Sequence, residues 1–192
     1  MVIRFFSRAS YVEIRLGAHY VNIEEHSQLR VTSTNIIIHE DYMRPDRHSN
    51  DISLIQTPEH IVTNNYIQIV RLAVADSGDY SGYVAFLSGW GTTSNSSTDL
   101  SAALQETHLF IMQNVLCLNV YGPDVVKSST LCTYGYTPTG PCNGDSGGPL
   151  VVGNTQVGVV SFIPSRGCES GYPSGYSRIS YYRSWINRNT DL

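Results

Sequence analysis

The chain has 192 residues, 41% hydrophobic and 15% charged, a composition that supports one sizeable globular core and argues against a disordered chain. Its formal net charge is -4 and its basic residues are scattered, so there is no electrostatic footprint for a nucleic-acid partner. The longest apolar runs are broken by Gly, Pro or a charge before they could span a bilayer, so no membrane partner is expected.

Taken in chain order, the first ten residues, MVIRFFSRAS, do not read as an export signal, because the apolar stretch is short and lacks a small-residue cleavage site. Runs rich in β-branched and aromatic residues then predict strands over residues 11–16, 29–39, 52–56, 83–88, 104–112, 130–134, 149–152, 155–163 and 175–180. Residues 57–75 read as a long connection between two β units. Turn-rich segments lie at 76–82, 91–99 and 133–144. The second of these holds Asn95-Ser96-Ser97, a glycosylation sequon if the chain is exported and otherwise a polar loop. Two helices are expected: a short one from Met112, and one near the C-terminus with Tyr182, Trp185 and Ile186 on a single face. Many short strands with few helices predict an all-β sandwich or barrel. No internal repeat is present.

The four cysteines, Cys117, Cys132, Cys142 and Cys168, all lie in the second half. They form no CxxC and no Cys/His pair at zinc spacing, which favours two disulfides over a metal site and leaves three connectivities open. Disulfides in turn imply an oxidising compartment. No metal and no cofactor is expected.

Chemistry concentrates in Pro141-Cys142-Asn143-Gly144-Asp145-Ser146-Gly147-Gly148-Pro149-Leu150. A serine hydroxyl is a weak nucleophile until a base removes its proton. The stretch satisfies the loose G-x-S-x-G pattern of α/β-hydrolases, but that fold needs alternating strands and helices and a histidine after the serine, and no histidine follows Ser146. The longer string GDSGGP, with a cysteine two residues ahead, is far more specific. With it stand NDISLI around Asp51, SGWGTT at 88–93, GVVSF before Ile163 and GYSRISYYRSWI near the end. On these motifs the chain resembles the chymotrypsin-like serine proteases from about Tyr11 to its C-terminus. RVTSTNIIIHEDY and GCESGYPSGYSRI are most similar to the insect chymotrypsin and collagenase-like branch.

The resemblance implies two Greek-key β-barrels, the first incomplete here, with a closing C-terminal helix. Residues 1–75 would be the remnant of the first barrel with its connecting segment, and residues 76–192 the second barrel plus helix. It implies Ser146 as nucleophile, Asp51 as the acid that orients a histidine, and the amides of Gly144 and Ser146 as the oxyanion hole. It also implies disulfides joining Cys117 to Cys132 and Cys142 to Cys168. The primary pocket would have Gly140 at its base, where a basic-specific enzyme carries an aspartate, with Ile163 and Ser174 as walls. Ser161, Phe162 and Ile163 would be the strand on which an extended peptide pairs. A bulky Ile163 favours small or medium apolar side chains.

The base is what the motifs do not supply. The family's Ala-Ala-His-Cys is absent, and the histidines ahead of Asp51 are His19, His26, His39 and His48. His19 and His39 fall at polar strand ends, and His26 falls in an acidic loop. His48, three residues before Asp51, would have to fold back on its own strand, so all four are expected to be solvated surface residues. Matching VEIRLGAHYVN to the family puts the triad histidine ahead of Met1. The family's apolar activation N-terminus, which pairs with Asp145, would also lie there, so Asp145 is expected to be unpaired and the chain zymogen-like and inactive. The expected function is therefore a secreted serine endopeptidase by family, acting on polypeptides or held by an inhibitor. The alternative is a non-catalytic homologue that binds peptides or a protein. A complete first barrel predicts a monomer, and an incomplete one exposes strand edges that associate.

Overall fold

Burial alternates along 84–87 and 109–112, with Ala85, Leu87, Leu109 and Ile111 on one face and Val84 and Phe86 on the other. In the computed structural model, which describes residues 2–3, 9–46, 48–75, 77–135 and 139–190, the first of these faces is the inside of a barrel. The described elements are β1 (Val2–Ile3), β2 (Val12–Leu16), β3 (Leu29–Ser33), β4 (Ile36–Ile38), β5 (Ser53–Ile55), β6 (Arg71–Leu72), β7 (Val84–Gly89), β8 (Gln105–Met112), α1 (Asn114–Tyr121), β9 (Thr130–Gly135), β10 (Pro149–Val152), β11 (Thr155–Phe162), β12 (Ser174–Arg178) and α2 (Ile179–Arg188).

Six antiparallel strands close on themselves in the order β10-β7-β8-β9-β12-β11, with β10 pairing back to β11. Closure removes the open edges that an extended sheet would present. The interior is filled by Leu109, Ile111, Leu131, Leu150, Val157, Val159 and Tyr176, all at most 1% exposed. β6 adds a parallel pair outside β11, so the 57–75 connection contributes a short strand that its sequence does not announce.

Ahead of the barrel, β1, β5 and β4 form a three-stranded antiparallel sheet, and β2 with β3 forms a two-stranded one. The run 29–39 does not continue as the single strand expected. Ser33 Oγ donates to the Gln56 carbonyl at 2.6 Å and Asn35 Nδ2 donates to Gln56 Oε1 at 2.6 Å, which turns the chain at Thr34 and sends its two halves to different sheets. This half is bound to the barrel through Trp90 Nε1 donating to the His19 carbonyl at 3.0 Å and Val21 N donating to the Ala102 carbonyl at 3.0 Å.

The helix α2 buries Ile179, Tyr182, Trp185 and Ile186, the face its spacing predicts. Disulfides join Cys117 to Cys132 and Cys142 to Cys168, closing sequence separations of 15 and 26 residues. Loops of that size restrict the unfolded chain by about 3 to 3.5 kcal/mol each on the chain-entropy scale. Replacing Cys142 and Cys168 together by alanine is expected to lower the urea-derived stability by roughly 3 kcal/mol. A change below about 1 kcal/mol would show that this bridge does not constrain the unfolded chain.

Candidate active site

One end of β11 holds both chemical groups that the sequence marks. Val160 accepts from Gly147 N at 2.9 Å and donates to the Gly148 carbonyl at 3.0 Å, fixing the glycines behind Ser146. One residue further, Ser161 Oγ donates to Asp51 Oδ2 at 2.6 Å. Asp51 is 1% exposed, and its carbonyl accepts from Ser177 Oγ at 2.6 Å. Ser146, immediately before Gly147, is exposed. The sequence places Ser161 only on a peptide-pairing edge, yet its hydroxyl holds the buried carboxylate. No spacing rule signals this, because the two residues are 110 positions apart.

The serine loop needs its glycines. Gly144 and Gly147 adopt φ of 99° and 85°, a region that favours residues without a Cβ. Asp145 is not unpaired, contrary to expectation: Oδ1 accepts from Gly91 N at 2.8 Å and Oδ2 from Cys142 N at 2.9 Å. Backbone amides thus take the place assigned to an ammonium group and give both oxygens of the half-buried carboxylate a hydrogen-bond donor. A Cβ on Gly89 or Gly91 would collide with that carboxylate, so SGWG in the sequence is a requirement of the aspartate's seat. Beside it opens a cavity of about 290 Å³ lined by Thr92, Thr93, Glu106, Gly140, Asp145 and Glu169, among others.

Gly140 and Ser174 are neighbours, since a Cβ on Gly140 would stand 3.3 Å from Ser174 Oγ. Ser174 is 4% exposed and Ile163 is half-buried. The Phe162 ring covers Gly175, its β-partner, where a Cβ would collide with the ring. His48 and Tyr121 each pack edge-on to the Phe162 ring, with centroids 5.2 Å and 5.4 Å from it. Tyr121 is a residue the sequence does not mark, because a tyrosine at the end of an apolar helix looks like packing.

Three of the histidines ahead of Asp51 have ring partners outside the serine loop and β11. His19 lies edge-on to Tyr20, and His26 edge-on to Tyr66 with Nε2 3.4 Å from its hydroxyl. His39 is not the solvated residue expected: its side chain is 12% exposed and stacks on Trp185 at 5.0 Å. Burial lowers its pKa below the ordinary imidazole value, with Arg188 adding to the effect and Glu40 and Asp41 opposing it. The fold therefore prefers the neutral ring, so the contribution of His39 to stability is present above about pH 6.5 and is lost as pH falls toward the lowered folded value. The thermal midpoint is expected to drop on acidification below that pH, and to drop less in His39→Gln. Parallel profiles for the two proteins would contradict it.

A closed barrel, a glycine-bound exposed serine and a buried aspartate tied to one strand define the class, a β-barrel protein with elements of a serine hydrolase site. The chain belongs to the trypsin family of serine proteases, whose family description, Trypsin, matches residues 6–186. It is 36% identical to brachyurin of Leptuca pugilator over 184 residues, covering 96% of this chain and 79% of that protein. It is 39% identical over 166 residues to a collagenase of Hypoderma lineatum, covering 84% of this chain and 62% of that protein. Among solved structures, HL collagenase superposes with a TM-score of 0.84 at 35% identity, covering 95% of this chain and 77% of that one. Mouse neuropsin, at 24% identity and a TM-score of 0.87, shares the fold. Among the described residues no helix is long and apolar enough to cross a membrane and no cluster of metal-binding side chains occurs.

Proposed function

We propose that the site is that of a peptide-bond hydrolase, with Ser146 as nucleophile, Asp51 as the acid, and the amides of Gly144 and Ser146 facing the oxyanion. The observation that carries this is the end of β11, where adjacent residues hold the serine loop and the aspartate carboxylate. In such a site the serine adds to the carbonyl carbon, a histidine takes the proton and returns it to the leaving amine, and the aspartate stabilises the charged ring. The family's Ala-Ala-His-Cys is absent from residues 1–192, which supports a chain without the base of the intact site. By itself the chain is inactive.

A pocket with Gly140 at its base and Ser174 and Ile163 as walls would have glycine where a basic-specific enzyme carries an aspartate, which supports small or medium apolar side chains over basic ones. His48, Phe162 and Tyr121 would flank the substrate's preceding residues. Polypeptides and protein inhibitors are the fitting partners. Asp145, with the cavity beside it, is the seat for an ammonium-bearing apolar chain end, and until one enters, Gly91 and Cys142 hold the carboxylate. The units are residues 1–75 and 76–192, and the two disulfides with the family support an extracellular setting.

A small imidazole can replace a missing histidine in such a site, because the proton transfer needs a base of matched pKa rather than a tethered one. Imidazole added to the purified chain is expected to raise hydrolysis of an activated ester in a concentration-dependent way, and Ser146→Ala is expected to remove the rise. An equal rise in Ser146→Ala would reject Ser146 as nucleophile.

A further inference from the structure

We infer that Asn95 is the acceptor of an N-linked glycan and that this glycan covers the Arg166–Gly167 peptide bond. Asn95-Ser96-Ser97 meets the acceptor rule, with a serine rather than proline in the middle. The residue is exposed on a turn in which Ser97 N donates to the Ser94 carbonyl at 3.3 Å. The turn does not hang free. Asn95 N donates to Glu169 Oε2 at 2.7 Å, and Asn95 Oδ1 lies 3.3 Å from Cys168 Sγ, so the sugar-bearing Nδ2 is not the atom placed against the disulfide.

The side chain rests on Gly167, where a Cβ would collide with its amide group, and Gly167 holds φ of 94°. Arg166, the next residue back, is exposed and extends over the Tyr172 ring, 5.0 Å from its centroid, with Nη1 donating to Tyr172 Oη at 3.1 Å. A protease specific for basic residues would cut after Arg166, and exposed loop tips of this kind are preferred sites of nicking. A sugar on Asn95 lies against the bond in question. Residues 92 and 93, just ahead of the turn, also line the cavity beside Asp145, so the modified turn stands at the rim of that cavity.

The chemistry needs one co-reactant, a polyisoprenyl-diphosphate oligosaccharide. The bond from the sugar's C1 to the phosphate oxygen breaks, a bond from C1 to Nδ2 forms, and the amide proton leaves with the diphosphate. The inference rests on the proposed extracellular setting. The experiment therefore supplies export itself, so that failure of the site and failure of the location are distinguishable.

The chain is expressed behind a cleavable export signal in a eukaryotic cell line and recovered from the membrane-enclosed and secreted fractions together. The peptide containing Asn95 is expected to carry a glycan mass and to read as aspartate after enzymatic deglycosylation. Asn95→Gln and Ser97→Ala are expected to lose the glycan, and Ser97→Thr to keep it. Under native conditions a basic-specific protease is expected to cut Arg166–Gly167 several-fold faster once the glycan is removed. Recovery of unmodified Asn95 from these fractions, or equal cutting with and without the glycan, overturns the proposal.

Discussion

Peptide hydrolysis by residues 1–192 is expected to run on the order of 10⁶ below that of an intact serine triad, and Ser146→Ala is expected to lower it little further. Nucleophile and base act as a unit: once one is lost, removing the other has almost nothing left to remove. What remains comes from binding and the oxyanion amides, roughly 10³ to 10⁴ over water where those amides are in place. The rings of His19, His26 and His39 pack on Tyr20, Tyr66 and Trp185, and His108, further on, packs on Phe86 with centroids 4.4 Å apart. Product release from a peptide with a small apolar residue before the cut bond, followed over long incubation in both proteins, checks this. Turnover that Ser146→Ala abolishes would mean that a base is present in the chain.

Trp185→Ala should destabilise the protein by about 3–5 kcal/mol, the range for emptying a buried aromatic site. Trp185 is 3% exposed, stacks on His39, and its Nε1 donates to Glu40 Oε2 at 2.7 Å. These contacts join α2, which closes the barrel, to the segment that leads from β4 to Asp51. The truncation therefore opens a cavity, strands a carboxylate acceptor, and loosens the chain that carries the aspartate. Trp185→Phe keeps the stacking and loses only a hydrogen bond to a solvated carboxylate, which water can replace, so it should cost clearly less than Trp185→Ala. Urea denaturation of the three proteins gives the comparison. A loss below about 1 kcal/mol in Trp185→Ala would place the coupling of the two halves elsewhere.

The barrel strands were readable because runs of β-branched and aromatic residues such as 83–88 and 104–112, bounded by turn residues, are a local signal, and so was the helix face of Tyr182, Trp185 and Ile186. GDSGGP marked the serine for the same reason: a tight glycine loop is written in consecutive residues. What local patterns do not carry is partnership across the chain. The break after Ser33 depends on Gln56, and the burial of His39 on Trp185. One of the two amides that Asp145 accepts from is 54 residues upstream at Gly91, so only the Cys142 half of its satisfaction lies among its neighbours. Ser161 and Tyr121 have the same origin, with chemistry set by distant residues that sequence spacing does not bring together.

The inherited serine and aspartate without a base in residues 1–192 form the central claim, and a fluorophosphonate probe tests it directly. Such a probe reacts at a serine only as fast as a base and the oxyanion amides allow. Intact-mass measurement of the purified chain after incubation is predicted to show no labelled fraction at Ser146. Near-stoichiometric labelling that Ser146→Ala removes would contradict the account.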